Sequence, residues 1–584
     1  MNEVWNLDPI YKGFDDPAFG VDMERFGEMV KQMAELSAGL AEGDPLEGLR
    51  AWIRLEEEAE LLVYKLAGYA QLRQSTDTRD PEAGSCMGRV MSLYSSTAAP
   101  SAAFRAWANK LPNLMELVRE DAFLKEYEYL FSNIAEESRY LLPGMGEEIM
   151  ARMRMSGGDA WSELQGYLTS TVPVNYRGQT INLSAVRNLA YDPDPKVRKD
   201  AYEAELACYE RIRDAVAFAM NSIKLETISS CKLRGYESPL SMTLKHSHMK
   251  RETLDAMLSA MDDYLPKFWQ YLKAKAKALG HEKSLPWYDL FAPMGKSSTK
   301  FTAEDAKAYL VEQFSDFDDE LTAMVAEAFD NAWIDFYPRD GKVGGAFCAG
   351  VECLGESRIL TNFDGTFSDV VTLAHELGHA FHNLCVRHHR PLNHGYSMPV
   401  AETASTFNEC VVMASAIGKA ADREEQLALI ESQLQDAAQI ICDIYSRYRF
   451  ETMVFENRED QFMPADKLCE FMTVAQRQSY GDGLDPNCQH PYMWLCKSHY
   501  YGSSFYNFPY AFGGLFARGL YAQYEKEGQS FVPKYKKLLA ATTVADVEDT
   551  AKVAGIDLTD KQFWLDALRT IGEQIDLFCS LVEG

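Results

Sequence analysis

Helical periodicity runs through most of this 584-residue chain and leaves little choice of architecture. The segment VRKDAYEAELACYERIRDAVAFAMNSIKLET, residues 197–227, places Val197, Ala201, Ala204, Cys208 and Ile212 at three- and four-residue intervals with charge between them. That spacing gives a helix one buried face and one wet face. Residues 50–75, 250–278, 302–329 and 420–457 have the same character. Strand signals are few. The best is VGGAFCAGVECLGESRILTNF, residues 343–363, where two short runs flank Gly355 as a hairpin or small sheet. The expected fold class is mainly α with a small β element. YDPDP at 191–195 and LPWYDLFAPMGKSS at 285–298 are breaks rich in turn residues. The first suggests a helical N-terminal lobe, 1–195, followed by a second helical region, 196–584.

Charge narrows the partners. With 58 Lys and Arg against 87 Asp and Glu, the formal charge of −29 excludes nucleic acid as the main ligand, which needs clustered cations. No apolar run approaches the roughly 18 residues that span a bilayer, so no membrane partner is expected. MNEVWNLDPIYKG does not read as a signal peptide, and a cytoplasmic location is expected. Twelve cysteines form no CxxC pair, Cys348 and Cys353 being the nearest, and read as small buried residues of a reduced protein. Nothing in the sequence sets an oligomeric state.

Histidine is unevenly placed. Six of eleven fall between 375 and 394: His375, His379, His382, His388, His389 and His394. Within TLAHELGHAFHN, residues 372–383, His375-Glu376-Leu377-Gly378-His379 is an HExxH sequence. Residues four apart share a helix face, so both imidazoles can reach one metal ion. Thr366 and Asp369 stand at capping-box spacing ahead of this helix.

Catalytic zinc takes three protein ligands and keeps one position open. His382 follows His379 by one turn, but three ligands on two turns of one straight helix are nearly collinear, and a tetrahedral ion needs convergence. A metzincin would place a histidine where this chain has Cys385. The third candidate comes from SMPVAETASTFNECVVMAS, residues 397–415. With Ser397 as N-cap and Pro399 in the first turn it reads as a second helix carrying Glu402 and Glu409 on one face. Packed across the first helix, Glu402 would complete a His, His, Glu set from the opposite side. Glu409 would then hold a ligand imidazole by its other nitrogen, leaving His382 behind the ligands or in the cleft. A solvated pair of glutamates is the bland alternative; flanking Val400, Ala404, Phe407 and Val411 argue against it.

GTFSDVVTLAHELGHAFH followed by AETASTFNE resembles the oligoendopeptidase F and thimet oligopeptidase family of zinc metallopeptidases, the oligoendopeptidase F branch most closely. WNLDPIYKGFDDPAF and HYYGSSFYNFPYAFG, residues 499–513, resemble that branch's N-terminus and C-terminal tyrosine motif, so the resemblance spans almost the whole chain. It implies a two-lobed helical body around a deep channel that admits short peptides. It also implies one Zn²⁺ per chain on His375, His379 and Glu402, with Glu376 as catalytic base. Tyr506 and Tyr510 keep the family's spacing and, with His499, are implied to contact the substrate carbonyl or its tetrahedral adduct. His499 stands farther from Tyr506 than in thimet-type relatives, and Pro509 precedes Tyr510. Gly344, Gly345, Ala346 and Phe347 resemble the edge strand along which the substrate backbone lies.

The expected function is zinc-dependent hydrolysis of internal bonds in short peptides. An exopeptidase would need a charged group that captures a chain terminus, and the sequence identifies none. A non-catalytic, zinc-containing peptide-binding protein would not need Glu376. His246 and His248, in LKHSHMK, read as surface residues.

Overall fold

Proline and aspartate start the first long helices. In the computed structural model, which describes residues 3–296 and 299–583, α1 (Pro17–Gly39) and α2 (Pro45–Thr76) each carry proline in the first turn. Asp16 and Asp44 cap them, accepting from Ala18 N and Glu47 N. Both devices suit a helix start, because proline lacks only a donor that would be orphaned there. α2 buries Leu49, Trp52, Ile53, Leu66 and Tyr69 and anchors a first apolar core. That core draws on residues 5 to 134 and on Val351 and Leu360 from a distant hairpin. A second, larger core begins at Val172 and continues to Phe578.

The expected helices form, with breaks. The 197–227 pattern becomes α3 (Pro195–Tyr209) and α4 (Arg213–Arg234), separated by a tight turn in which Ile212 N bonds Tyr209 O at 3.0 Å. No glycine or proline marks this break. The 302–329 pattern divides into α5 (Ala303–Ser315) and α6 (Asp319–Asp330), where Asp318 caps the second helix by accepting from Leu321 N at 2.8 Å. Ser297 and Ser298, the end of the second expected break, lie outside the described residues.

Strands are short. β1 (Val174–Tyr176) and β2 (Gln179–Ile181) make a small hairpin absent from the sequence expectation. β3 (Ile334–Asp335), β4 (Phe347–Val351) and β5 (Glu356–Leu360) form a sheet in the order β3-β5-β4. β4 and β5 are the expected hairpin, running antiparallel from Phe347 opposite Leu360 to Val351 opposite Glu356, with Gly355 at φ +64° in the turn. That left-handed value favours glycine. α7 (Phe367–Val386) packs on this sheet and on α8 (Thr403–Lys419). α9 (Arg423–Ala438) passes through a π-helical turn, Gln439–Asp443, into α10 (Ile444–Arg458). α11 (Phe508–Glu527) then packs on α8. Among the described residues no helix is long and apolar enough to cross a membrane.

Candidate metal centre and active site

Two helices that touch backbone to backbone build the site. α7 opens with the expected capping box: Asp369 N donates to Thr366 Oγ1 at 3.3 Å and Thr366 N to Asp369 Oδ2 at 2.8 Å. Gly378, inside the HExxH sequence, is where α8 comes closest. A Cβ there would lie 2.5 Å from Ser405 Cα and 2.6 Å from Ala404 O, so no larger residue fits. Asn408 on α8 donates to Ala374 O at 3.1 Å and ties the helices a second time.

Glu402 is not inside the second helix as expected. Ser397 and Pro399 begin a separate 3₁₀ turn, Met398–Val400, and α8 starts at Thr403 with Glu402 as its N-cap residue. Ser397 makes no side-chain cap at the start of that turn. From the cap position Glu402 Oε2 lies 3.3 Å from His375 Nε2 and 3.4 Å from His379 Nε2. Zinc bonds of roughly 2.0–2.1 Å in tetrahedral arrangement separate donors by about 3.4 Å, so these gaps suit donors around one ion. All three donor atoms lie within 4.8 Å of one another. Two imidazoles and a carboxylate are also the right chemistry for such an ion.

The surroundings orient these groups. His375 Nδ1 donates to Glu409 Oε1 at 2.5 Å, leaving Nε2 to face Glu402, and Ser405 Oγ donates to Glu402 Oε2 at 2.7 Å. Burial works against a charged His375, but Glu402 and Glu409 outweigh it and push its pKa up to about 10. Burial likewise opposes charge on Glu402, yet its bonds from the two histidines hold the carboxyl well below the usual range. Glu376 is only 5% exposed. Burial raises its pKa, with His375 and His379 pulling the other way. Cys348 on β4 is close enough that burial and then the Glu376 charge push its thiol pKa up.

His499, Tyr506 and Tyr510 come together. Tyr510 Oη is 3.4 Å from His499 Nε2; the His499 and Tyr506 rings stack at 5.4 Å, and the two tyrosine rings stand 5.7 Å apart at 80°. Pro509 occupies the first turn of α11, a position that tolerates it, so Tyr510 follows in regular helix. One turn later Gly513 lets α11 approach the metal ligands: a Cβ there would meet Glu402 Cβ at 3.3 Å and Pro399 O at 3.4 Å. Burial, then the charges of Arg447 and Lys497, lower the pKa of His499.

Other expected residues are placed differently. His382 is fully buried, with Nε2 2.8 Å from Thr542 Oγ1 and its ring stacked on Tyr396 at 4.3 Å. Burial and His379 push its pKa down to about 3. No hydrogen bond joins it to His375, His379 or Glu402 among the described residues. Gly344, Gly345 and Ala346 precede β4, which starts at Phe347; β4 is one of the sheet's two edge strands. His246 is exposed, as expected, and lines a cavity of about 880 Å³ that reaches Tyr506 and a neighbouring one of about 400 Å³ that reaches Tyr396. Met398 also lines both, its Sδ 4.0 Å from Tyr506 Oη. Gly378, Gly513, Ser405 and Met398 escaped the sequence reading. Glycines inside otherwise strong helical patterns were the available signal for the first two.

The family model described as Peptidase family M3 matches residues 188–570. Oligopeptidase PepF of Bacillus subtilis (strain 168) is 23% identical over 594 residues, covering 98% of this chain and 86% of that protein. An oligoendopeptidase F homolog of Lactococcus lactis subsp. lactis is 25% identical, covering 97% and 94%. Among solved structures, a candidate peptidase from Chlamydophila abortus superposes with a TM-score of 0.88 at 20% identity, covering 99% of this chain and 98% of its own. Oligoendopeptidase-F from Enterococcus faecium superposes at 0.71 and 18% identity, covering 97% and 99%. The two structures share this fold.

Proposed function

The chain belongs to peptidase family M3, and from that membership we propose that it is a zinc-dependent endopeptidase cutting internal bonds of oligopeptides. One observation carries the reading: a single carboxylate oxygen of Glu402 faces Nε2 of both HExxH histidines, at 3.3 and 3.4 Å. His375, His379 and Glu402 would hold one ion per chain. Bound there, zinc supplies Lewis acidity toward a water molecule and toward the scissile carbonyl.

The chain's own groups do the rest. Glu376, buried on the ligand helix, takes a proton from the attacking water and delivers it to the leaving amine. Burial raises its pKa, which favours the first half of that transfer, taking the proton from water. Tyr510 and Tyr506, arranged around His499, donate hydrogen bonds where negative charge develops. Each such donor is worth roughly 10²–10³ in rate. Glu409 keeps His375 in the tautomer that presents Nε2. The free edge of β4 offers main-chain groups to an extended peptide, which reads no side-chain sequence and predicts broad specificity.

The test is an internally quenched peptide assay with chelation and zinc restoration. Activity should vanish and return. Glu376→Gln should keep bound zinc and lose about 10²–10⁴ in kcat, the usual contribution of a general base. Undiminished turnover in that variant would refute the role.

A further inference from the structure

A separate cavity of about 210 Å³ shares no residue with the two cavities beside the tyrosines. Its polar groups are mostly committed. Arg198 donates to Asp289 at 2.8 Å and to the carbonyls of Asp192 and Pro193 at 2.7 and 3.0 Å. Asp443 is held by Arg447, and Glu205 accepts from Tyr209 at 2.8 Å and faces His490 and Arg187. Among the charged groups Lys497 stands out: it lines the cavity, yet among the described residues its side chain makes no hydrogen bond or ion pair. Burial lowers its pKa and the nearby Arg447 adds to that, while the charge of Asp443 pulls the other way. A half-buried ammonium without a partner invites an anion.

Two further observations give the anion a shape. Gln439 and Asp443, at the two ends of the π-helical turn, both line the cavity, and such turns recur at functional sites. Much of the remaining wall is aromatic, with Tyr191, Tyr202, Trp287, Tyr288 and Phe291 beside aliphatic Val186, Leu290 and Met493, and Tyr191 is 55% exposed. The ligand therefore needs a flat apolar body as well as a charge.

We propose that this cavity binds an organic monocarboxylate with a flat apolar body, its carboxylate on Lys497 and its body against the aromatic wall. The free C-terminus of a peptide ending in an aromatic residue presents this chemistry, as does a small aromatic acid. Only the first source rests on the peptidase reading. Binding itself does not.

N-acetyl-phenylalanine and N-acetyl-phenylalaninamide are the probes, titrated against wild-type protein while Trp fluorescence is followed, with and without a metal chelator. The acid should bind at least tenfold more tightly than the amide. Lys497→Met should abolish that preference, Lys497→Arg should retain it, and chelation should leave it unchanged. Equal binding of acid and amide, a preference surviving in Lys497→Met, or a preference lost on chelation would each overturn the proposal. The last outcome would put the carboxylate on the metal centre. A peptide-substrate arm separates the sources. If amidating the C-terminus raises KM in wild type but not in Lys497→Met, the peptide terminus is the occupant. If KM is unmoved while the acid still binds, the occupant is a free small acid.

Discussion

His375 and His379 owe their grouping to a spacing rule, and Glu402 owes its place to a packing contact. The first was readable because i and i+4 share a face; the second because neighbouring apolar residues implied that its segment docks. What holds His382 was not readable, since its partner Thr542 lies 160 residues away and its stacking partner Tyr396 sits in a loop. The two residues should therefore fail differently. Glu402→Ala should lose metal by more than the roughly 10–100-fold that follows loss of an outer partner such as Glu409. His382→Ala should keep its metal, measured by elemental analysis of folded protein, and lose roughly 2–4 kcal/mol of stability through the cavity left behind. Metal loss in His382→Ala with retention in Glu402→Ala would reverse the assignment. At the second cluster, Tyr506→Phe and Tyr510→Phe should each lower kcat about 10²–10³-fold with little change in KM, because their bonds strengthen only as charge develops. A rise in KM at constant kcat would make them binding residues instead.

Helices were legible because their apolar faces repeat, and their ends were legible where a capping side chain stood ready. Thr366 with Asp369 shows the readable case, and so does Asp318 before α6. The turn at 210–212 is the opposite: no punctuating residue marks it, and tertiary packing of Tyr209 and Ile212 decides. β3 was equally hidden, being two residues long and paired with β5 some 25 residues on, Ile334 opposite Ile359. The crossing of α7 and α8 carries a sharper expectation. A methyl on Gly378 meets backbone, which cannot swing aside, so Gly378→Ala must push the helices apart. Because one helix carries both imidazoles and the other begins with the carboxylate, the donors separate with them. Metal affinity should fall at least tenfold and the melting temperature should drop, whereas Gly395→Ala, which meets nothing, should leave metal affinity unchanged. Equal affinity in Gly378→Ala would show that the helix contact does not set the site.

At the scale of the molecule, the proposed N-terminal lobe, residues 1–195, holds one core of its own together with the first members of the other. What joins the cores is therefore as important as either. The β4–β5 hairpin contributes Val351 and Leu360 to the smaller core while β4 borders Glu376. Beyond α7, the loop carrying Arg390 makes a second link. Arg390 donates from Nε and a terminal nitrogen to the two carboxylate oxygens of Glu57, at 2.6 and 2.9 Å, and its guanidinium lies 4.5 Å from the Phe123 ring centre. Glu57 is 6% exposed and also accepts from Tyr127. Asn393 donates to Glu126 O at 2.7 Å on the same face. A buried carboxylate that loses its guanidinium is left with one neutral donor, at a cost of about 3–5 kcal/mol for full burial. Arg390 is partly solvated, so about 2 kcal/mol is expected for Arg390→Met. The loss falls on the junction and spares both cores, so calorimetry should show the smaller unit melting ahead of the larger one. The same junction leads directly from the HExxH helix, and loosening it should raise KM for long peptides more than for short ones. A single unshifted transition in Arg390→Met would mean that the hairpin alone couples the two cores.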